Sequence, residues 1–142
     1  MPLRRRGVSK DVMERYADDE QLAGTYQDAL KAATEAEDAL RHAQSEDRSE
    51  RELRTFSIAL DRALVQALRA AEAAERVAMG RATYSPETGN PKSDIARREA
   101  EIAHRKAKAR PDVRGWTDEA DRLRTARERN LLSFRAAARS LT

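Results

Sequence analysis

Arg97, Arg98, His104, Arg105 and Lys108 fall on one side of a single helical segment, with Asp94 and Glu101 among them. At 100° per residue these positions share one half of a helix. The other half carries Ala96, Ala100, Ala103 and Ala107 in a strip, with Ile95 and Ile102 beside it, a small-residue side expected to be committed to packing against another helix. A row of guanidinium and ammonium groups at this spacing suits phosphates, because arginine's planar fork binds phosphate oxygens in pairs. The same row also fits a solvated face in which Glu101 and Arg105 pair at i,i+4. The last segment adds Arg124, Arg135 and Arg139 on one flank, and the start of the chain adds Arg4, Arg5 and Arg6. Together with Arg97, Arg98, Arg105 and Lys108, these are the candidate nucleic-acid contacts. Trp116 and Tyr84 flank the basic segment and could stack on bases; Trp116, just before a helix cap, better suits anchoring that helix start.

Other chemistry has fewer candidates. Glu101-Ile102-Ala103-His104 has the Glu-x-x-His spacing of di-metal carboxylate bundles, which need a second such motif and further inward carboxylates. The only other histidine, His42, has Ala39 at that offset. Asp18-Asp19-Glu20 and Glu46-Asp47 lack the spacing and glycine of a calcium loop and read as capping and turn residues. With no cysteine, disulfides, thiolate metal sites and thiol nucleophiles are excluded. No glycine-rich phosphate loop, nucleophile elbow or dinucleotide fingerprint occurs. The expectation is a non-catalytic protein with no catalytic residue, no metal site and no cofactor.

Composition supports a docking role. The 142 residues carry a net charge of +3, but residues 11–50 hold twelve acids against four bases and residues 81–142 hold fifteen bases against nine acids. An acidic half joined to a basic one suits binding to a charged partner or to a second copy. Arginine and alanine number 23 and 27. GC-rich codon usage raises both together, so the positions of the arginines carry the argument rather than their number. Leu, Ile, Val and Phe total 22 of 142, a thin core, yet they recur at helical intervals, which argues for a folded chain. No apolar run follows Arg4–Arg6 to make a secretory signal, and none is long enough to span a membrane. The expected location is the cytoplasm.

The elements that must position the basic row are helices throughout. The fold expected is an all-α, elongated bundle of about four long helices plus a short N-terminal helix and a long 80–92 loop, within one helical domain, 1–142. Residues 1–8 read as a basic arm, 9–79 as N-terminal helices and 93–142 as basic C-terminal helices. Ser9 is placed to cap a short helix and Asp18-Asp19 to start the next. A helix over about 19–44 turns Leu22, Tyr26, Ala29, Ala33, Ala36 and Leu40 to one side. Ser49-x-x-Glu52 forms a capping box for a helix over about 50–79. Its Leu53, Phe56, Leu60, Leu64 and Leu68 predict the most buried helix, which Gly80 ends. Ser93 and Asp94 start a helix that stops before Pro111. Thr117 is placed to cap the last helix, about 118–141, whose buried face would hold Ala120, Leu123, Leu131, Phe134, Ala138 and Leu141. Arg127 and Asn130 intrude on that face, and Glu37 is a candidate partner for Arg127.

The function expected is a helical subunit of a larger assembly, such as a nucleoprotein complex or a phage-type packaging or head component. Its basic C-terminal half would contact a nucleic-acid backbone. The alternative is a purely structural element that self-associates through its acidic and basic halves. Partners expected are further copies, other subunits and nucleic acid, without a membrane.

Overall fold

A computed structural model describes the backbone of residues 2–84 and 93–140 and the side chains of residues 10–81, 83–84 and 93–135. The described residues are all-α: α1 (Pro2–Gly24), α2 (Tyr26–Ser45), α3 (Glu50–Met79), a 3-10 turn (Arg81–Tyr84), α4 (Asp94–Ala109) and α5 (Pro111–Ser140). None of these helices is long and apolar enough to cross a membrane.

Several ends follow the expected chemistry. The Ser49 hydroxyl accepts the Glu52 amide at 3.2 Å and the Ser93 hydroxyl accepts the Ala96 amide at 3.1 Å, each satisfying a first-turn donor. Gly80 closes α3 at φ 104°, a conformation that a β-carbon would strain, and its amide reaches the Arg76 and Val77 carbonyls. The α2–α3 turn is a Schellman closure. Asp47 takes φ 53°, its amide donates to the Gln44 carbonyl, and the Arg48 amide reaches back to Ala43. The short side chain of aspartate tolerates this left-handed position.

Other boundaries differ from expectation. The 1–8 arm is helical from Pro2 onward, and α1 runs through Gly7 and Asp18-Asp19 without a break. The interruption falls instead at Thr25, where amide and hydroxyl both donate to the Leu22 carbonyl and tighten the turn. The helix expected over 19–44 is therefore divided between α1 and α2, and the N-terminal helix is long rather than short. The last helix starts at Pro111, not near 118. Proline at the first helical position lacks only an amide that would have no partner there. Of the expected 80–92 loop, residues 81–84 form the 3-10 turn and 85–92 lie outside the described residues.

α3 is the centre. α2 returns along it as a hairpin, α1 lies along its C-terminal part, and α5 runs antiparallel to it on another side. The antiparallel register is set by Arg110 donating to the Ala78 carbonyl (2.6 Å), Asn130 donating to Ser57 (2.9 Å) and Arg54 stacking over the Phe134 ring. Tyr26, Ala33 and Leu40 of α2, Leu60, Leu64, Ala67, Ala70 and Ala71 of α3, and Ala120 and Leu123 of α5 form one core. Phe56 and Leu68 are half-buried at its edge. On α5 the buried face is Val113, Ala120, Leu123 and Asn130, so Leu131 is exposed where burial was expected. Ala138 and Leu141 lie outside the described side chains.

Asp19 ties α1 to the end of α3. It accepts two hydrogen bonds from the Arg76 guanidinium (2.9 and 3.1 Å) and one from the Tyr84 hydroxyl. The Arg76 bonds hold its carboxyl below the ordinary 3.8 despite opposing burial. Burial, and then the bond to Asp19, pushes the Tyr84 phenol up. Burial and the bond to Glu119 likewise push Tyr26 up to about 12.

Two outcomes test this account. Leu64→Ala should cost about 2–5 kcal/mol in chemical denaturation, because α2 and α5 cannot close on the vacated volume. Asp19 is ionised more readily folded than unfolded. Its contribution is therefore complete above its ordinary pKa and fades as pH falls through the lower folded value. Thermal melts between about pH 5 and pH 2 should show a shallower loss for Asp19→Asn than for the wild type.

Candidate nucleic-acid interface

α4 is built differently from the helices around it. None of its residues is buried. It is held to the body at its C-terminal end, where Lys108 reaches Glu75 of α3 at 3.4 Å and the next residue but one, Arg110, donates to Ala78. Arg110 is extended (φ −64°, ψ 138°), as the ring of Pro111 demands of the residue before it, and this corner separates α4 from α5. Ala96, Ala100 and Ala107 are half-buried, but Ala103 is exposed, as are Ile95 (72%) and Ile102 (51%). The expectation that this helix is committed to packing through its small side is corrected. An alanine strip presents little apolar area, and among the described residues none of this helix is buried.

The basic row divides accordingly. Arg97, Arg98 and Arg105 are exposed on one face, and among the described residues none makes an ion pair. The intrahelical Glu101–Arg105 pair that the spacing allows is not formed. Lys108 is already engaged by Glu75. Arg124 is engaged too, by Asp121 at 2.8 Å and Glu72 at 3.4 Å, and so serves the α3–α5 contact. Arg135 is exposed, but it lies 24 residues along α5 from Pro111, about 36 Å from the corner with α4. It does not extend the α4 face. Arg4, Arg5 and Arg6 lie in the first turns of α1 and Arg139 in the last turn of α5; their side chains are outside the described residues.

Two aromatic candidates turn inward. Trp116 packs edge-on against Tyr26 with centroids 5.0 Å apart, and Tyr84 packs edge-on against Tyr16 at 6.0 Å. Both rings serve packing within the bundle. Arg127 pairs with Asp61 of α3 at 2.8 Å rather than with Glu37, which binds Arg41 of its own helix at 2.6 Å. Among the described residues no three acidic or histidine side chains converge as a metal would require, Glu101 and His104 included.

The sequence reading missed that α3 carries an acidic flank. Asp61, Glu72 and Glu75 each take a cation from the basic half of the chain, through Arg127, Arg124 and Lys108. The signal was the recurrence of acids at helical spacing beside the alanine seam. It also passed over Glu99 and Lys106, which sit inside the apolar arc of α4 and mark it as a face unlike a core helix. No protein-family model, curated protein or solved structure matches the chain.

Arg124 and Lys108 should therefore matter for stability rather than binding. Arg124→Ala, which removes a partly exposed cross-helix pair, should cost about 0.5–1 kcal/mol in denaturation.

Proposed function

We propose that this protein is a non-catalytic helical subunit of a larger cytoplasmic assembly, and that it contacts a nucleic-acid backbone through the basic face of α4. The observation that carries the reading is the state of Arg97, Arg98 and Arg105. They share one face of a helix that has no buried residue and is tied to the bundle at its C-terminal end, and all three guanidiniums are exposed without a carboxylate partner among the described residues. Cations on the bundle facing α3 are consumed by its acidic flank. Arg98 and Arg105 lie two turns apart, about 10.5 Å. That is about three base-pair steps of duplex at 3.4 Å each. Nothing in this arrangement reads base edges, so binding is sequence-tolerant.

The second reading, a structural element that self-associates by charge, draws support from the acidic half. Glu14, Asp18, Asp28, Glu35 and Asp38 are exposed along α1 and α2, and among the described residues none has a cationic partner. Self-association weakened by salt in nucleic-acid-free protein would favour it.

The test is binding of a fluorescently labelled duplex and a single strand, followed by anisotropy across a salt series. Three phosphate contacts give log K against log salt a slope of about −2.7 per engaged helix on duplex. Replacing Arg97, Arg98 and Arg105 with Glu should abolish retention while helicity stays at the wild-type level. Unchanged binding by that variant overturns the proposal.

A further inference from the structure

A groove opens where the bundle is farthest from α4. It lies between α2, α3 and α5 near the α2–α3 turn, with Leu53, Leu60 and Leu64 on its floor and Phe134 on its wall. Its volume is about 290 Å³. An engineered apolar cavity of about 150 Å³ takes a benzene ring, so this space accepts two aliphatic side chains. The bundle here has three helices around a space that a fourth could close. The same chain carries a helix with an uncovered apolar stripe, Ile95 and Ile102 two turns apart.

That helix is too short to fill its own groove and would reach only its near edge at Leu64. Arg110 is fixed at the level of Ala78, and the groove is centred at the level of Ser57, which Asn130 marks. The 21 intervening residues of α3 span about 31 Å, whereas all 16 residues of α4 span about 24 Å.

We infer that α4 of one copy docks in the groove of a second copy, Ile95 and Ile102 on its floor. Charge in register supports this occupant. Beside the isoleucine stripe of α4 stand Glu99 and Lys106, seven residues and about 10.5 Å apart. On the groove rim stand Arg129, beside the Asn130–Ser57 contact, and Glu50, seven residues from Ser57 along α3. Along the groove axis Arg129 and Glu50 stand about eight residues of α3, about 12 Å, apart, so rim and helix carry opposite charges in the same order: Glu99 faces Arg129 and Lys106 faces Glu50. All four are exposed, and among the described residues none has an ion-pair partner. The contact joins two different surfaces of the chain. Two copies can exchange helices around a two-fold axis, or successive copies can extend a chain.

The inference concerns the apolar side of α4 and stands independently of nucleic-acid binding, so the test uses nucleic-acid-free full-length protein. The chain has no cysteine. Lys106→Cys and Glu50→Cys proteins, mixed and mildly oxidised, should give a disulfide-linked pair in much higher yield than either alone. They should also exceed Lys106→Cys mixed with Glu20→Cys on the exposed side of α1. Adding Ile95→Asp and Ile102→Asp to the Lys106→Cys protein should remove the linkage; both positions are exposed, and circular dichroism checks that helicity holds. Arg129→Glu should weaken self-association in sedimentation by about tenfold, and Glu99→Arg should restore it. A mixed yield no greater than the controls, or linkage indifferent to the isoleucine changes, overturns the inference. A charge reversal that the second reversal does not rescue overturns the proposed register.

Discussion

Everything in this molecule rests on how closely other helices can approach α3. Ala67, Ala70, Ala71, Ala73 and Ala74 are almost wholly excluded from solvent, although each contributes only a methyl group. A chain so poor in large aliphatic residues gains its cohesion from proximity. Small side chains let helix axes close in, and many weak dispersion contacts replace a few large burials. Tyr26, Leu40, Leu60, Leu64, Leu123 and the half-buried Trp116 then fill the wider gaps toward α2 and α5. The alanine seam faces several sides of α3, which is why one helix serves as the packing surface for three others.

The charge pattern is organised by the same helix. Its acidic flank accepts from Arg127, Arg124 and Lys108 of the basic half, while its Arg76 donates to Asp19 of the acidic half. Part of the sequence's charge asymmetry is thus neutralised internally, and what remains exposed becomes informative. These pairs are partly solvated, so individually they add little; their role is to fix register among helices whose alanine surfaces are smooth. Asn130, donating to a carbonyl of α3 from within the seam, acts in the same sense.

α4 is the exception, a helix with no buried residue. It has the periodicity of a core helix but interrupts its apolar arc with Glu99 and Lys106, and it is separated from the bundle by the extended residue before Pro111. A helix of this kind holds its shape through its own hydrogen bonds and its Ser93 cap, and it presents two usable sides. One is cationic, and the other is apolar with its own pattern of charge. The proposals for nucleic acid and for a second copy use different sides, so they can operate together in an assembly.

The sequence alone determined that the chain is helical, that α3 is the most buried helix, and which of its ends are capped. Period, cap and glycine signals are local: Ser49, Gly80 and Ser93 act on neighbours within a turn or so. It also placed the correct face of α2 inward, through Tyr26, Ala33 and Leu40. Local signals failed where one residue suits two structures. Pro111 ends one helix and begins the next, and Gly7 is tolerated within α1. The composition of the cationic face was legible, but its division was not. Whether Arg127 and Lys108 are engaged depends on Asp61 and Glu75, tens of residues away, reached by long side chains only once the helices are placed. The exposure of Ile95 and Ile102 was decided the same way, because periodicity states that a helix has an apolar face while only the arrangement of the other helices states what covers it.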